Sequence, residues 1–242
     1  DFDIEALGYM YTLGAETWTR LTCWPPAATP TKLYLHAAKS TGTLRDDPPA
    51  EPGMLQYKAS ETSSGVVSRW NLVQHILLRP VVYDDRNHQD GSCLRFDMRP
   101  FKESFTVTGQ VRLDLWVAPD DGNDVAVFAY LEDVDPTGNV TYVTEGQIRA
   151  SHTVQGYDER DRPVRSYERA DAKPLVESTH VPFMLNFVSY QFAAGHSLRI
   201  SLAARDTDNF NSSKFLGYAD AFSLASKWTL ALGESSVTLP IA

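Results

Sequence analysis

Long apolar runs are missing from this chain. No stretch approaches the ~20 residues that a membrane span requires, and no basic flank followed by an apolar stretch marks a secretory signal. Basic residues are in deficit: 22 Lys and Arg stand against 31 Asp and Glu, a formal net charge of -9. Scattered singly, they offer no electrostatic footprint for nucleic acid or anionic lipid, so a soluble protein with neither as partner is expected. Cysteine is scarce too. Cys23 and Cys93 lie far apart, with no CxxC and no histidine cluster beside them, which leaves zinc sites and redox motifs without support. They read as two buried thiols. No G-x-S-x-G pentapeptide supplies the strained elbow of an α/β-hydrolase nucleophile. The six histidines, His36, His75, His88, His152, His180 and His196, form no HExxH.

What remains has the composition of an ordinary globular protein, 43% hydrophobic and 11% aromatic. A chain of this length buries roughly 70% of its unfolded surface, and one domain over residues 1–242 is expected. Two-residue alternation bounded by Gly, Pro, Asn and Asp recurs along it, predicting strands at 31–38, 93–98, 110–117, 125–134, 140–145, 183–190, 197–204 and 227–233. Only 67–78 can be drawn as a helix, and it fits a buried strand equally well. Stretches 40–53 and 156–174 read as long loops, the first rich in Pro and Gly, the second in charge of both signs. Many short strands imply an all-β fold, a two-sheet sandwich or jelly roll.

The acidic turn "DVDPTGN" begins like a calcium loop at Asp133, Asp135 and Thr137, but the twelfth position falls on Thr144 where a bidentate acid is needed. Pro136 and Gly138 instead fit a hairpin turn. No metal or cofactor is expected, with calcium kept as the alternative. If "APDDGND" is a second hairpin, Val117 faces Val125, and Leu113 and Leu115 share a core side with Ala129 and Val127. The opposite side then collects Arg112, Asp114, Trp116, Phe128 and Tyr130. That set is either covered by a loop such as 156–174, or a docking surface rich in Trp, Tyr and Arg, or a sugar platform.

Two stretches, "FTVTGQVRLDLWVAPDDGNDVAVFAYLEDVDPTGNVTYVTEGQIRASH" and "FVSYQFAAGHSLRISLAARD", together with the opening "WTRLTCWPP" and "LYLHAA", resemble the C-terminal non-catalytic domain of X-Pro dipeptidyl-peptidases, cocaine esterase and α-amino-acid ester hydrolases. The most specific pieces are "TEGQIRAS", with Gly146 and Arg149, and "FAAGHSLRIS", with Gly195 and Arg199. The resemblance implies a galactose-binding-like jelly roll in which these four residues are structural. It also implies that nucleophile, acid and histidine belong to a preceding α/β-hydrolase domain of the same parent chain, so that no residue here is catalytic. Beginning without an initiator Met, the chain is expected to be a piece of such a longer serine hydrolase. The implied partners are that hydrolase domain and, as an alternative, a second copy of the chain. The competing function, on the same fold, is a carbohydrate-binding module.

Overall fold

A computed structural model describes residues 7–37, 41–59, 64–65, 76, 83–210 and 222–242. The ambiguous stretch 67–78 lies outside the described residues, apart from Ile76. The chain opens with β1 (Gly8–Thr12) and β2 (Thr17–Leu21), a hairpin forming its own two-stranded sheet. Strands β3 (Thr29–His36), β4 (Gly42–Arg45) and β5 (Met54–Lys58) follow, then one helical turn α1 (Asn87–Asp90) and β6 (Leu94–Asp97). Next come β7 (Phe105–Gly109), β8 (Arg112–Pro119), β9 (Ala126–Val134) and β10 (Val140–Arg149). A small ribbon of β11 (Gly156–Tyr157) and β12 (Pro163–Val164) precedes β13 (Thr179–Met184), β14 (Val188–Phe192), β15 (Ser197–Ala203), β16 (Lys227–Ala231) and β17 (Ser236–Ile241).

One layer has the order β10-β9-β15-β6, and β4 carries the hydrogen bonding over to β3, β17, β8, β16 and β5 in the other. β13 extends the second layer beside β8, and β14 pairs with β7. Side chains pointing inward from both layers make one core, in which Leu113, Leu115 and Val117 of β8 and Val127, Ala129 and Leu131 of β9 have no solvent exposure. This is the expected jelly-roll β-sandwich: a sheet that closes over itself buries one face of each strand and leaves few open edges.

Four readings of the sequence need correction. First, β8 and β9 do not pair. β8 bonds to β13, β16 and β17, and β9 bonds to β10 and β15, so 118–124 crosses between layers. Of the two acidic turns, only the one between β9 and β10 closes a hairpin. In its turn Gly138 has φ +91°, and Asp135 Oδ1 accepts from the backbone of Thr137 and Asn139 at 2.7 and 3.0 Å. Second, 183–190 is two strands: β13 leaves β8 at Met184, and after a corner the chain joins β7 as β14. Third, 40–53 contains β4, and its Gly42 would place a Cβ 2.4 Å from the Phe96 ring. Close approach, rather than flexibility, explains that glycine. Fourth, Cys23 is an exposed thiol and Cys93 a half-buried one.

The corner at 185–187 explains the glycine of "TEGQIRAS". Asn186 donates from its backbone N to Glu145 O at 2.8 Å, bringing the corner directly onto Gly146 of β10. A Cβ at Gly146 would lie 2.8 Å from Met184 O and 3.0 Å from Leu185 Cα. Gly146→Ala is therefore expected to destabilise by about 1–3 kcal/mol through overpacking against backbone that cannot yield. Urea unfolding checks this, and an unchanged midpoint would mean that the corner has room.

Candidate functional site

The five residues assigned to one face occupy two. Arg112, Asp114 and Trp116 lie on the outer side of β8, opposite Met184, Pro182 and His180 of β13. Phe128 and Tyr130 lie on the outer side of β9, in the other layer. The alternation that assigned each residue to a side was correct within each strand, but the two strands were placed in the wrong pairing.

On β8, Arg112 and Asp114 form a two-pronged ion pair, Nε to Oδ2 at 2.8 Å and Nη2 to Oδ1 at 3.1 Å. Arg112 Nη1 also donates to the backbone and side-chain oxygens of Asp161, each at 2.7 Å. Asp161 belongs to 156–174, which straps this face: Arg165 donates to His152 O and Pro182 O at 2.7 and 2.6 Å. At its own tip, Asp158 accepts from Arg162 and is held down at about 2 by those bonds. His180 Nε2 lies 3.0 Å from Asp114 Oδ1, and its ring stacks on Trp116 with centroids 5.2 Å apart at 18°. Trp116 therefore has one ring face taken by His180, which disfavours a flat sugar platform.

Behind β9 and β15 lies a buried polar layer that the sequence reading missed. β15 is buried at every position after Ser197, and β9 at all but Phe128 and Val134, because segment 83–93 covers their outer face. Arg86, at the start of α1, donates from Nε to Glu132 Oε1 at 2.6 Å and from Nη2 to Ser64 O at 2.7 Å. Its guanidinium sits 4.1 Å above the Tyr130 ring. Arg199 grips Asp97 with two bonds, at 2.6 and 2.9 Å, and reaches Asp90 at 2.9 Å. Glu132 Oε2 accepts from Ser201 Oγ at 2.7 Å. Asp90 and Glu132 are wholly buried. Burial, reinforced by the charge of Asp90, pushes the Glu132 carboxyl up to about 8.

The same segment is tied to the β9–β10 turn. Asp85 Oδ1 accepts from Val140 N at 2.9 Å, and Asn87 Nδ2 donates to Gly138 O at 2.6 Å. Glu132 carried a signal in the sequence, one of two adjacent acids near the end of a strand that is otherwise apolar, yet alternation alone assigned it to solvent. Only the distant residues Arg86 and Asp90 reverse that.

The remaining motif residues are also fasteners. Arg149 pairs with Asp124, Nε to Oδ2 at 2.8 Å, and Asp124 takes Ser151 N and Oγ at 2.9 Å each. Gly195, at φ +85°, turns the chain between β14 and β15. Asp133 accepts the Tyr190 hydroxyl at 2.8 Å and holds His196 Nδ1 at 2.9 Å. Among the described residues no serine, threonine or cysteine side chain hydrogen-bonds to a histidine ring. Nor do three His, Cys, Asp or Glu side chains converge on one point among them, and no described helix is long and apolar enough to cross a membrane.

Residues 7–214 match the family described as the X-Pro dipeptidyl-peptidase C-terminal non-catalytic domain. The chain belongs to this family. It is 35% identical over 210 residues to Mb1866c of Mycobacterium bovis, a proposed serine esterase by name; the match covers 84% of this chain and 33% of that protein. The chain thus spans about a third of the length of that relative. Among solved structures, an α-amino acid ester hydrolase superposes over 97% of this chain and 41% of its own with a TM-score of 0.72 at 20% identity. The CocE/NonD family hydrolase SACOL2612 of Staphylococcus aureus does so over 96% and 40%, with a TM-score of 0.65 at 18% identity. At those identities the likeness to this X-Pro dipeptidyl-peptidase C-terminal domain shows the fold alone. Of the four family-motif residues, Gly146 sits at a close packing contact, Arg149 and Arg199 are paired with carboxylates, and Gly195 sits at a turn.

Proposed function

We propose that this chain is the non-catalytic accessory domain of a serine hydrolase, packed against the α/β-hydrolase domain of its parent and stabilising it. The observation that carries this reading is what the polar groups do. Asp114 with His180, Asp133 with His196 and Tyr190, and Glu132 with Arg86 are each paired within the chain. An active site instead leaves a nucleophile, a base and an oxyanion donor converging on open space. The family's description and the one-third coverage of a relative named as an esterase support a catalytic domain elsewhere in the parent.

The purified 242-residue chain is expected to give no turnover of p-nitrophenyl esters or X-Pro arylamides and no labelling by a fluorophosphonate, whereas the parent chain is labelled. Stoichiometric labelling of the isolated chain would overturn the proposal.

A further inference from the structure

The path of hydrogen-bonded strands through the sandwich has two ends, β10 and β5. The free side of β10 is met by the chain itself. Arg86 N donates to Val140 O at 3.0 Å, and Asn186 donates to Glu145 O from N at 2.8 Å and from Nδ2 at 2.9 Å. At the other end, β5 pairs with β16 alone.

In that ladder Gly53 O accepts from Leu232 N at 2.8 Å, and Ala59 N donates to Ser226 O at 2.7 Å. Bonded and non-bonded positions alternate along an antiparallel pair, so Leu55 and Tyr57 also turn their N–H and C=O towards β16. Met54, Gln56 and Lys58 turn theirs away from the sheet. Among the described residues no backbone bond reaches these outward groups. All three residues are exposed, Met54 at 78%. Of their side chains that of Gln56 is held, its Nε2 donating to Asp120 Oδ2 at 2.7 Å.

A row of unpaired N–H and C=O groups is a template for another strand. We infer that β5 is the pairing edge for a second copy of this chain, joined antiparallel about a two-fold axis through Gln56. What selects a second copy is that the edge complements itself in this one register. Gln56 then lies opposite Gln56 of the second copy and Met54 opposite its Lys58, so each outward N–H of the three residues meets an outward C=O.

Other registers lose something. Slid one way, the pairing brings in Pro52, which has no N–H. Slid the other way, it drives the two Lys58 side chains together, although each already stands opposite Lys227 of β16, and like charges directly opposed destabilise a ladder. In the centred register the flexible Met54 side chain lies along the apolar stem of Lys58 instead. On the inner side Leu55, only half-buried, comes opposite Tyr57 of the second copy. An edge lysine ordinarily keeps strands apart. Here its position, two residues from the axis, fixes the register. The paired strands are short, so the dimer is weak and depends on concentration.

Sedimentation equilibrium of the 242-residue chain and three variants tests this. The chain is expected to show a monomer–dimer equilibrium. Met54→Glu sets a carboxylate against Lys58 at both symmetric positions and is expected to tighten the dimer about threefold to tenfold, and Met54→Lys to loosen it by a similar factor. The net charge of -9 acts in the opposite sense on both variants, so general repulsion does not produce this order. Gln56→Pro removes an outward N–H at a position where an open edge tolerates proline, and is expected to leave a monomer. A chain that stays monomeric up to about 1 mM, or a dimer indifferent to the substitutions at 54 and 56, would overturn the inference. So would the reverse order of the two Met54 variants, which would show self-association governed by net charge.

Discussion

Arg199→Ala is expected to lower the unfolding free energy by about 3–5 kcal/mol, the range for breaking a buried ion pair from one side. The cost comes from what is left behind. Asp90 is wholly buried and loses its 2.9 Å partner, and Asp97 loses both prongs of its grip. Arg86 remains, but it approaches Asp90 only at 3.8 Å and is already bound to Glu132. The uncompensated carboxylate must then take up a proton, or water must enter between 83–93 and the sheet. Arg199→Lys is expected to recover only part of the loss, because an ammonium cannot hold Asp97 with two parallel bonds and reach Asp90 as well. Urea unfolding of the three chains at pH 7 measures this. A loss below about 1 kcal/mol for the alanine variant, typical of an exposed pair, would show that the network is open to solvent and is not what fastens 83–93.

How much of this was legible beforehand differs by kind of feature. Faces were legible: in β8 the alternation put Leu113, Leu115 and Val117 inside and Arg112, Asp114 and Trp116 outside, because a strand's two sides are fixed by its own backbone. Pairing was not. The crossover 118–124 and the hairpin turn 135–139 share the vocabulary of Asp, Gly, Asn and Pro, and nothing within seven residues tells the chain which layer it enters next. The partners that decide it, β13, β16 and β17, lie 60 or more residues downstream of β8. Glu132 illustrates the same limit at a single residue. Alternation sends it outward, but outward is dry there, since a segment more than 40 residues upstream covers the sheet. The resemblance in "TEGQIRAS" and "FAAGHSLRIS" indicated family and fold, and the structure gives the reason for Gly146, which makes room for the β13–β14 corner.

Segment 83–93 closes the outer side of β9 and β15, and the strap 156–174 closes that of β8 and β13. Both covers are held by arginine–carboxylate pairs within the chain. Closing two faces with ion pairs inside the chain leaves little apolar surface open there, as the accessory-domain reading proposed above requires of a domain that must be rigid on its own account.

Raising the pH from 6.5 to 8 is expected to destabilise this chain by about 1–2 kcal/mol, and Glu132→Gln is expected to abolish most of that loss. Glu132 faces Arg86 and Asp90 from the covering segment, Ser201 from β15, and Tyr130 on its own strand. Arg86 and Ser201 favour its charged form, but burial and the neighbouring Asp90 oppose them and raise its carboxyl to about 8 from an ordinary 4.5. A native state that keeps this proton while the unfolded chain has released it binds more protons between 4.5 and 8. Its stability therefore falls as pH rises through that window and levels off above it. His152, lowered chiefly by burial, acts in the opposite sense below its ordinary 6.5, so the effect is read above that value. Asp158 and Asp135, both lowered by hydrogen bonds, act only in acid, where stability is lost as pH falls. A glutamine at 132 can still accept from Arg86 and donate towards Asp90 without a proton to lose. Urea midpoints of both chains across pH 5 to 9 give the comparison, and the difference between them cancels every group they share. Parallel profiles would mean that Glu132 is ionised throughout, with Arg86 prevailing over burial.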